Sequence, residues 1–206
     1  FLKRGKEESL KRFHPWIFSG AIHHMDEGIE EGETVRVITA AGEFIAVGHY
    51  QIGSIAVRVL SFEDIEINTD FWCERLQSAL DVRIGVGIAD SPTNNTYRLV
   101  HGEGDYLPGL VIDCYGSTAV MQAHSVGMHV CRNEICQALV QVMGERIANV
   151  YYKSETTLPY KADLHQENGF LVGGDASNVA MENGLKFHID WLRGQKTGFF
   201  VDQREN

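Results

Sequence analysis

The chain has 206 residues, of which 44% are hydrophobic and 22% charged, and its net charge is −10. This size predicts one or two domains, and the composition is that of an ordinary folded chain. The acidic balance argues against indiscriminate nucleic-acid binding, and no apolar run approaches the roughly 18 residues of a membrane span.

The charge is unevenly spread. Residues 1–25 hold Lys3, Arg4, Lys6, Lys11 and Arg12 against Glu7 and Glu8, a local balance of +3 that leaves −13 on the remainder. A basic start on an acidic body reads either as a phosphate-binding patch or as a solvated basic segment. The same stretch holds His14, and the pair His23 and His24, which read as surface residues. The first residue is Phe1, so the start reads as cropped or processed.

Residues 1–68 read as a small all-β module. In GETVRVITAAGEFIAVGHY, Val35 and Val37 alternate with Thr34 and Arg36, and a turn is expected at 40–42. In SIAVRVL, Ile55, Val57 and Val59 share one face and Arg58 takes the other. Short strands with glycine punctuation predict a compact barrel. Trp16 reads as a core or rim aromatic of that barrel, or as a platform for stacking bases.

A helix is predicted from about Thr69, capped by Asn68 or Thr69, with Trp72, Leu76, Ala79 and Leu80 as its buried stripe. Residues 85–95 read as a loop. Three strand-like runs follow in TYRLVHGEGDYLPGLVIDCYGSTAVMQAH, with a turn expected at 114–117. Residues 128–144 read as a helix stopped by Gly144, and ANVYYKS and GFLVGG as strands. The result is a mixed α/β (α+β) chain: a barrel, then a strand–strand–helix–strand–strand unit over 69–184 with a leading helix. GLKFHIDW, from Gly184, reads as a last strand.

Few constellations suggest chemistry. His101, Glu103 and Asp105 alternate like metal ligands, but the glycines between them favour an irregular turn, and no metal is expected. No nucleophile elbow, phosphate loop or dinucleotide fingerprint occurs. The four cysteines, 73, 114, 131 and 136, form no CxxC pair and suggest no disulfide framework, and Cys131 and Cys136 read as reduced helix residues of a cytosolic protein. The segment GQKTGFFVDQREN, residues 194–206, stands out. Its small residues permit close backbone approach. Asp202 and Gln203 offer hydrogen bonds, and Arg204 can hold a carboxylate bidentately. The plainer alternative is a strand and helix start with Asp202 as N-cap.

Four stretches carry a resemblance: residues 2–22, GETVRVITAAGEFIAVGHY with SIAVRVL, residues 97–116, and GQKTGFFVDQREN. The chain resembles the N-terminal portion of the bacterial 23S rRNA cytosine-C5 methyltransferases, class I S-adenosylmethionine-dependent enzymes with an N-terminal PUA domain. The resemblance implies a PUA-like domain at 1–68, a central domain at 69–184, and the start of a methyltransferase domain at 185–206. The Rossmann-like core would lie beyond this chain. It implies S-adenosylmethionine as cofactor, with Lys196, Thr197, Gly198, Asp202, Gln203 and Arg204 shaping its site. Ribosomal RNA is the implied partner, through Lys3, Arg4, Lys6, Arg12 and Arg58. The implied location is the cytoplasm, and relatives with this layout can form homodimers. In such enzymes a cysteine thiolate attacks carbon 6 of cytosine before carbon 5 takes the methyl group, but none of the four cysteines here sits in that context, so no catalytic residue is expected in this chain. Three positions depart from the family pattern: Val47 stands where arginine is common, Gln195 where histidine is, and Phe200 where tyrosine is. The rival reading is a stand-alone PUA-type RNA-binding module.

Overall fold

In the computed structural model, residues 1–159, 164, 167–174 and 178–204 are described. Strands β1 (Trp16–Phe18), β2 (Thr34–Ile38), β3 (Phe44–Tyr50) and β4 (Ile55–Ser61) form an antiparallel sheet in the order β1-β4-β3-β2. Leu2 closes it. Its amide donates to the Ile38 carbonyl at 2.8 Å at one edge, and it bridges Ile22 beyond the other. Leu2, Leu10, Ile17, Val37, Ala46, Val57 and Val59 fill the small barrel so formed. Gly48 sits where a Cβ would lie 2.1 Å from the Arg58 carbonyl oxygen, so only glycine allows β3 to cross β4 this closely.

β4 is buried on both faces. Val57 and Val59 face the barrel, whereas Leu60 joins the large core of the following unit. That unit begins with α1 (Thr69–Gly85), capped by the Asn68 side chain, which accepts from the Phe71 amide at 3.1 Å. The predicted stripe of Trp72, Leu76, Ala79 and Leu80 is buried, with Phe71 added to it.

The central sheet runs β5-β6-β7-β8-β9, comprising Thr96–His101, Leu110–Tyr115, Thr118–Ala123, Asn149–Tyr152 and Gly169–Val172. All three runs read before the helix form strands, so the sheet has five members. The β6–β7 turn is tighter than its residue types suggest: Cys114 and Tyr115 remain in the ladder opposite Ala119 and Thr118, leaving only Gly116 and Ser117 to turn. β7 and β8 are parallel, joined through α2 (Val126–Val130) and α3 (Arg132–Met143). The single predicted helix thus breaks at Cys131 and begins two residues early, where the Ser125 hydroxyl caps it.

The helices and the sheet face bearing Leu110, Ile112 and Cys114 enclose the main core. The opposite face bears Asp113, Tyr115, Val120 and Tyr151. A hairpin of β10 (Val179–Glu182) and β11 (Leu185–His188) and the segment after it pack on this face through Ala180, Ile189 and Trp191.

Candidate functional site

The segment at 194–204 is held by buried polar contacts. Lys153, from the end of β8, donates through Nζ to the carbonyls of Trp191 at 2.7 Å and Gly194 at 2.6 Å. Burial lowers the pKa of this lysine, with nearby Asp190 opposing. Thr197 is 1% exposed, and its hydroxyl donates to Asp113 Oδ2 at 2.5 Å. With that proton committed, the Tyr115 hydroxyl, 2.8 Å away, donates to Thr197 Oγ1. Asp113 is fully buried and also takes a two-pronged contact from Arg98, at 2.8 and 2.9 Å. Asp113, a buried charge, is thereby paired and hydrogen-bonded.

The glycines serve the same lock. A Cβ on Gly194 would lie 2.3 Å from the Asp190 oxygen. One on Gly198, whose φ is +124°, would lie 2.6 Å from the Trp191 Cα. The close approach they permit is to the chain's own backbone. Arg204 is also turned inward, with Nε 3.2 Å from Glu182 Oε1 and Nη2 2.6 Å from the Thr96 carbonyl.

The six candidate cofactor residues therefore divide. Thr197, Gly198 and Arg204 face the protein, whereas Lys196, Asp202 and Gln203 are exposed. Lys196 holds its ammonium 4.9 Å from the centre of the exposed Phe200 ring. Gln203 donates to Asp202 at 3.1 Å. This bond, helped by the charges of Lys196 and Arg98, holds the Asp202 carboxyl below its ordinary pKa. The outward set offers a cation for a carboxylate and an anion for an amine, and in that respect fits an amino-acid-bearing cofactor.

Lys3, Arg4, Lys6 and Arg12 are all exposed on the N-terminal segment. Lys3 Nζ donates to the Gly20 carbonyl at 2.9 Å and Arg12 Nε to the Glu8 carbonyl at 3.3 Å, so their charges stay available to solvent. Arg58 is not with them. It lies half-buried at the seam between barrel and central unit, donating to Gln51 Oε1 at 3.0 Å beside a depression lined by His101, Glu103 and His124. Val47, one of the three departures from the resembled pattern, is 3% exposed, so that position lies in packing rather than on a surface.

His101, Glu103 and Asp105 are used separately. Asp105 pairs with Arg83 and accepts from the His101 amide, while Glu103 accepts from Trp16 Nε1 at 2.8 Å. Among the described residues no group of three or more potential ligands could hold a metal ion. Trp16 is a rim residue that reaches across to the central unit.

Residue types alone do not reveal one contact. His49 from β3 lies 3.7 Å from Cys131 Sγ and rests on Gly127, where a Cβ would meet its ring at 2.2 Å. Burial, with the Arg58 charge second, lowers the His49 pKa to about 4, and burial raises the Cys131 thiol to about 11. Both are neutral at pH 7, which makes this a packing contact and not an activated nucleophile. Burial likewise raises Cys136 to about 11 and Cys114 to about 12.

Residues 1–62 match a PUA-like domain family. The whole chain aligns with ribosomal RNA large subunit methyltransferase I of Vibrio parahaemolyticus, at 39% identity over 209 residues. The chain is similar to this methyltransferase along its whole length. The corresponding protein of Aliivibrio fischeri is 37% identical over 210 residues, again covering all of this chain. The chain spans about half, 52%, of the length of these curated relatives. Its fold matches that of a candidate SAM-dependent methyltransferase from Streptococcus mutans, with a TM-score of 0.79 at 23% identity, over 98% of this chain and 51% of that one. A second candidate methyltransferase, solved with SAH, gives 0.78 at 23% identity over 97% and 49%. Among the described residues no helix is long and apolar enough to cross a membrane.

Proposed function

We propose that this chain is the RNA-recognition portion of an S-adenosylmethionine-dependent methyltransferase that modifies carbon 5 of a cytosine in 23S rRNA, in the cytoplasm. The observation that carries the reading is alignment of the entire chain, motif segment included, with large-subunit rRNA methyltransferases. On this reading residues 1–68 form the RNA-binding unit, 69–184 the central unit and 185–206 the threshold of the catalytic domain, and the protein pairs as a homodimer. Lys3, Arg4, Lys6 and Arg12 meet RNA phosphates, and Arg58 meets RNA at the seam.

The cofactor, when bound, supplies a methyl group from its sulfonium. This chain's part is positional. Asp113, Tyr115 and Lys153 lock the backbone around Thr197 and so fix the place of Lys196, Asp202 and Gln203. Asp202 then accepts from the cofactor's amine, and Lys196 attracts its carboxylate. Arg204, engaged with Glu182 and Thr96, steadies this wall from behind. The nucleophile belongs to the remainder of the enzyme.

One observation favours the rival, a stand-alone RNA-binding module: three of the six motif residues are spent on internal contacts. Titrating the chain with 23S rRNA fragments across a salt series, with and without S-adenosylmethionine, separates the two. We expect salt-sensitive RNA binding and no methyl transfer by this chain alone, with cofactor-dependent protection of the amides at 196–203 in the full-length enzyme. RNA binding without that protection supports the rival. Absence of RNA binding at every salt concentration refutes both.

A further inference from the structure

The outward side of β1 carries a feature that phosphate contacts leave unused. His14, Trp16 and Phe18 alternate along the chain, while Ile17 between them is 3% exposed and points into the barrel. The three rings converge, with centroids 6.0 Å apart for His14–Trp16, 6.3 Å for His14–Phe18 and 6.5 Å for Trp16–Phe18. β1 is an edge strand, so the cluster is open on one side, and Phe18 is 49% exposed. The Trp16 indole is pinned by Glu103, which fixes the orientation of the cluster in advance. Beside the rings lies a depression lined by Lys6, Ser9, Trp16, Phe18 and Gly20, and the Lys3 ammonium is tied to the Gly20 carbonyl at its rim.

One exposed phenylalanine is unremarkable on a protein surface. Three converging rings next to cations, on a segment whose local charge is +3, differ from that background. Aromatic faces flanked by lysines are how proteins hold unpaired bases, with the ring taking the base and the cation the phosphate. We infer that His14, Trp16 and Phe18 form a stacking platform for an unpaired RNA base, with Lys3 and Lys6 holding the adjoining phosphates. This inference rests on the RNA-binding reading above and adds to it a preference for single-stranded over duplex RNA.

The test uses intrinsic fluorescence of the whole chain. Trp72 and Trp191 are 0% and 2% exposed, so quenching by added RNA reports Trp16. A single-stranded oligoadenylate is compared with duplex RNA of equal length. We expect quenching by the single strand only. Phe18→Leu keeps an apolar side chain but removes the ring. It is expected to weaken single-strand binding by about tenfold, within the roughly 5- to 150-fold range of one base–ring stack, and to leave the salt slope unchanged. Phe18→Trp should restore binding, and Lys6→Gln should reduce the salt slope by about one ion. Unaltered melting temperatures for the variants exclude misfolding.

If Phe18→Leu binds as the parent does while the parent shows its salt slope, the platform is wrong and the RNA-binding reading stands. If the parent binds no RNA at low salt, both fall. If Phe18→Leu instead abolishes a concentration-dependent self-association and leaves RNA binding intact, the rings are a protein contact and the platform is overturned.

Discussion

Thr197→Val tests the lock that holds the segment at 194–204 to the central sheet. Valine has nearly the volume of threonine, so the substitution removes the hydroxyl while leaving no cavity. Two contacts disappear: the bond to Asp113 at 2.5 Å and the one from Tyr115 at 2.8 Å. Asp113 keeps Arg98, so its charge stays paired, but one carboxylate oxygen and the Tyr115 hydroxyl lose a buried partner. A hydrogen bond to a charged group contributes about 1.5–3 kcal/mol. Because the Lys153 contacts remain, the loss should appear as local opening of 190–204 more than as global unfolding. About 2–3 kcal/mol corresponds to a rise of roughly 30- to 150-fold in the open population. Native-state hydrogen exchange and limited proteolysis of this segment read that population directly. Thr197→Ser keeps the hydroxyl and should stay within a few-fold of the parent. Parent-like protection in Thr197→Val, or equal loss in Thr197→Ser, would refute the reasoning.

Three further outcomes are expected. Gly127→Ala would ordinarily favour a helix by about 1 kcal/mol; here its Cβ meets the His49 ring at 2.2 Å, so urea titration should show a loss of roughly 1–3 kcal/mol, relieved in a His49→Ala background. His49 is held neutral with a pKa of about 4 against about 6.5 when unfolded. The unfolded chain therefore binds the extra proton between those values. The His49 contribution is complete above pH 6.5 and is lost as pH falls towards 4, by up to about 3 kcal/mol. His124 and His129 shift the same way, so the measurement is the difference between parent and His49→Phe stability curves. A difference that stays flat across that window would show that the ring is not buried as described. Finally, Arg4→Ala with Arg12→Ala should weaken rRNA binding and lower its salt slope by up to about two ions; an unchanged slope would remove this patch from the interface.

Much of the architecture was legible in the chain itself. Alternation at 34–38 and 55–60, the Asn68 cap, and the apolar stripe through Trp72 to Leu80 are local signals. Each reflects a backbone that must satisfy its own hydrogen bonds and bury one face. The break at Cys131 was not legible, because an apolar periodicity continues through it and only the backbone at Cys131, with φ −80° and ψ 3°, separates the two helices. The motif at 194–204 stood out by residue type, but its division did not. Thr197 and Asp202 are both small polar residues in one short segment. One is nearly fully buried on Asp113 and Tyr115, 84 and 82 positions earlier in the chain, and the other is exposed.

The same distinction holds across the molecule. Local sequence determined which segments became strands and helices, where the positive charge gathered, and which proteins the chain resembles. Tertiary structure decided which polar groups are free to meet a ligand. It turned Arg204 inward, moved Arg58 to the seam, neutralised His49 and left Phe18 facing solvent. The physical reason is that exposure and pKa depend on what the fold brings alongside a residue, and those neighbours come from strands that no local pattern pairs in advance.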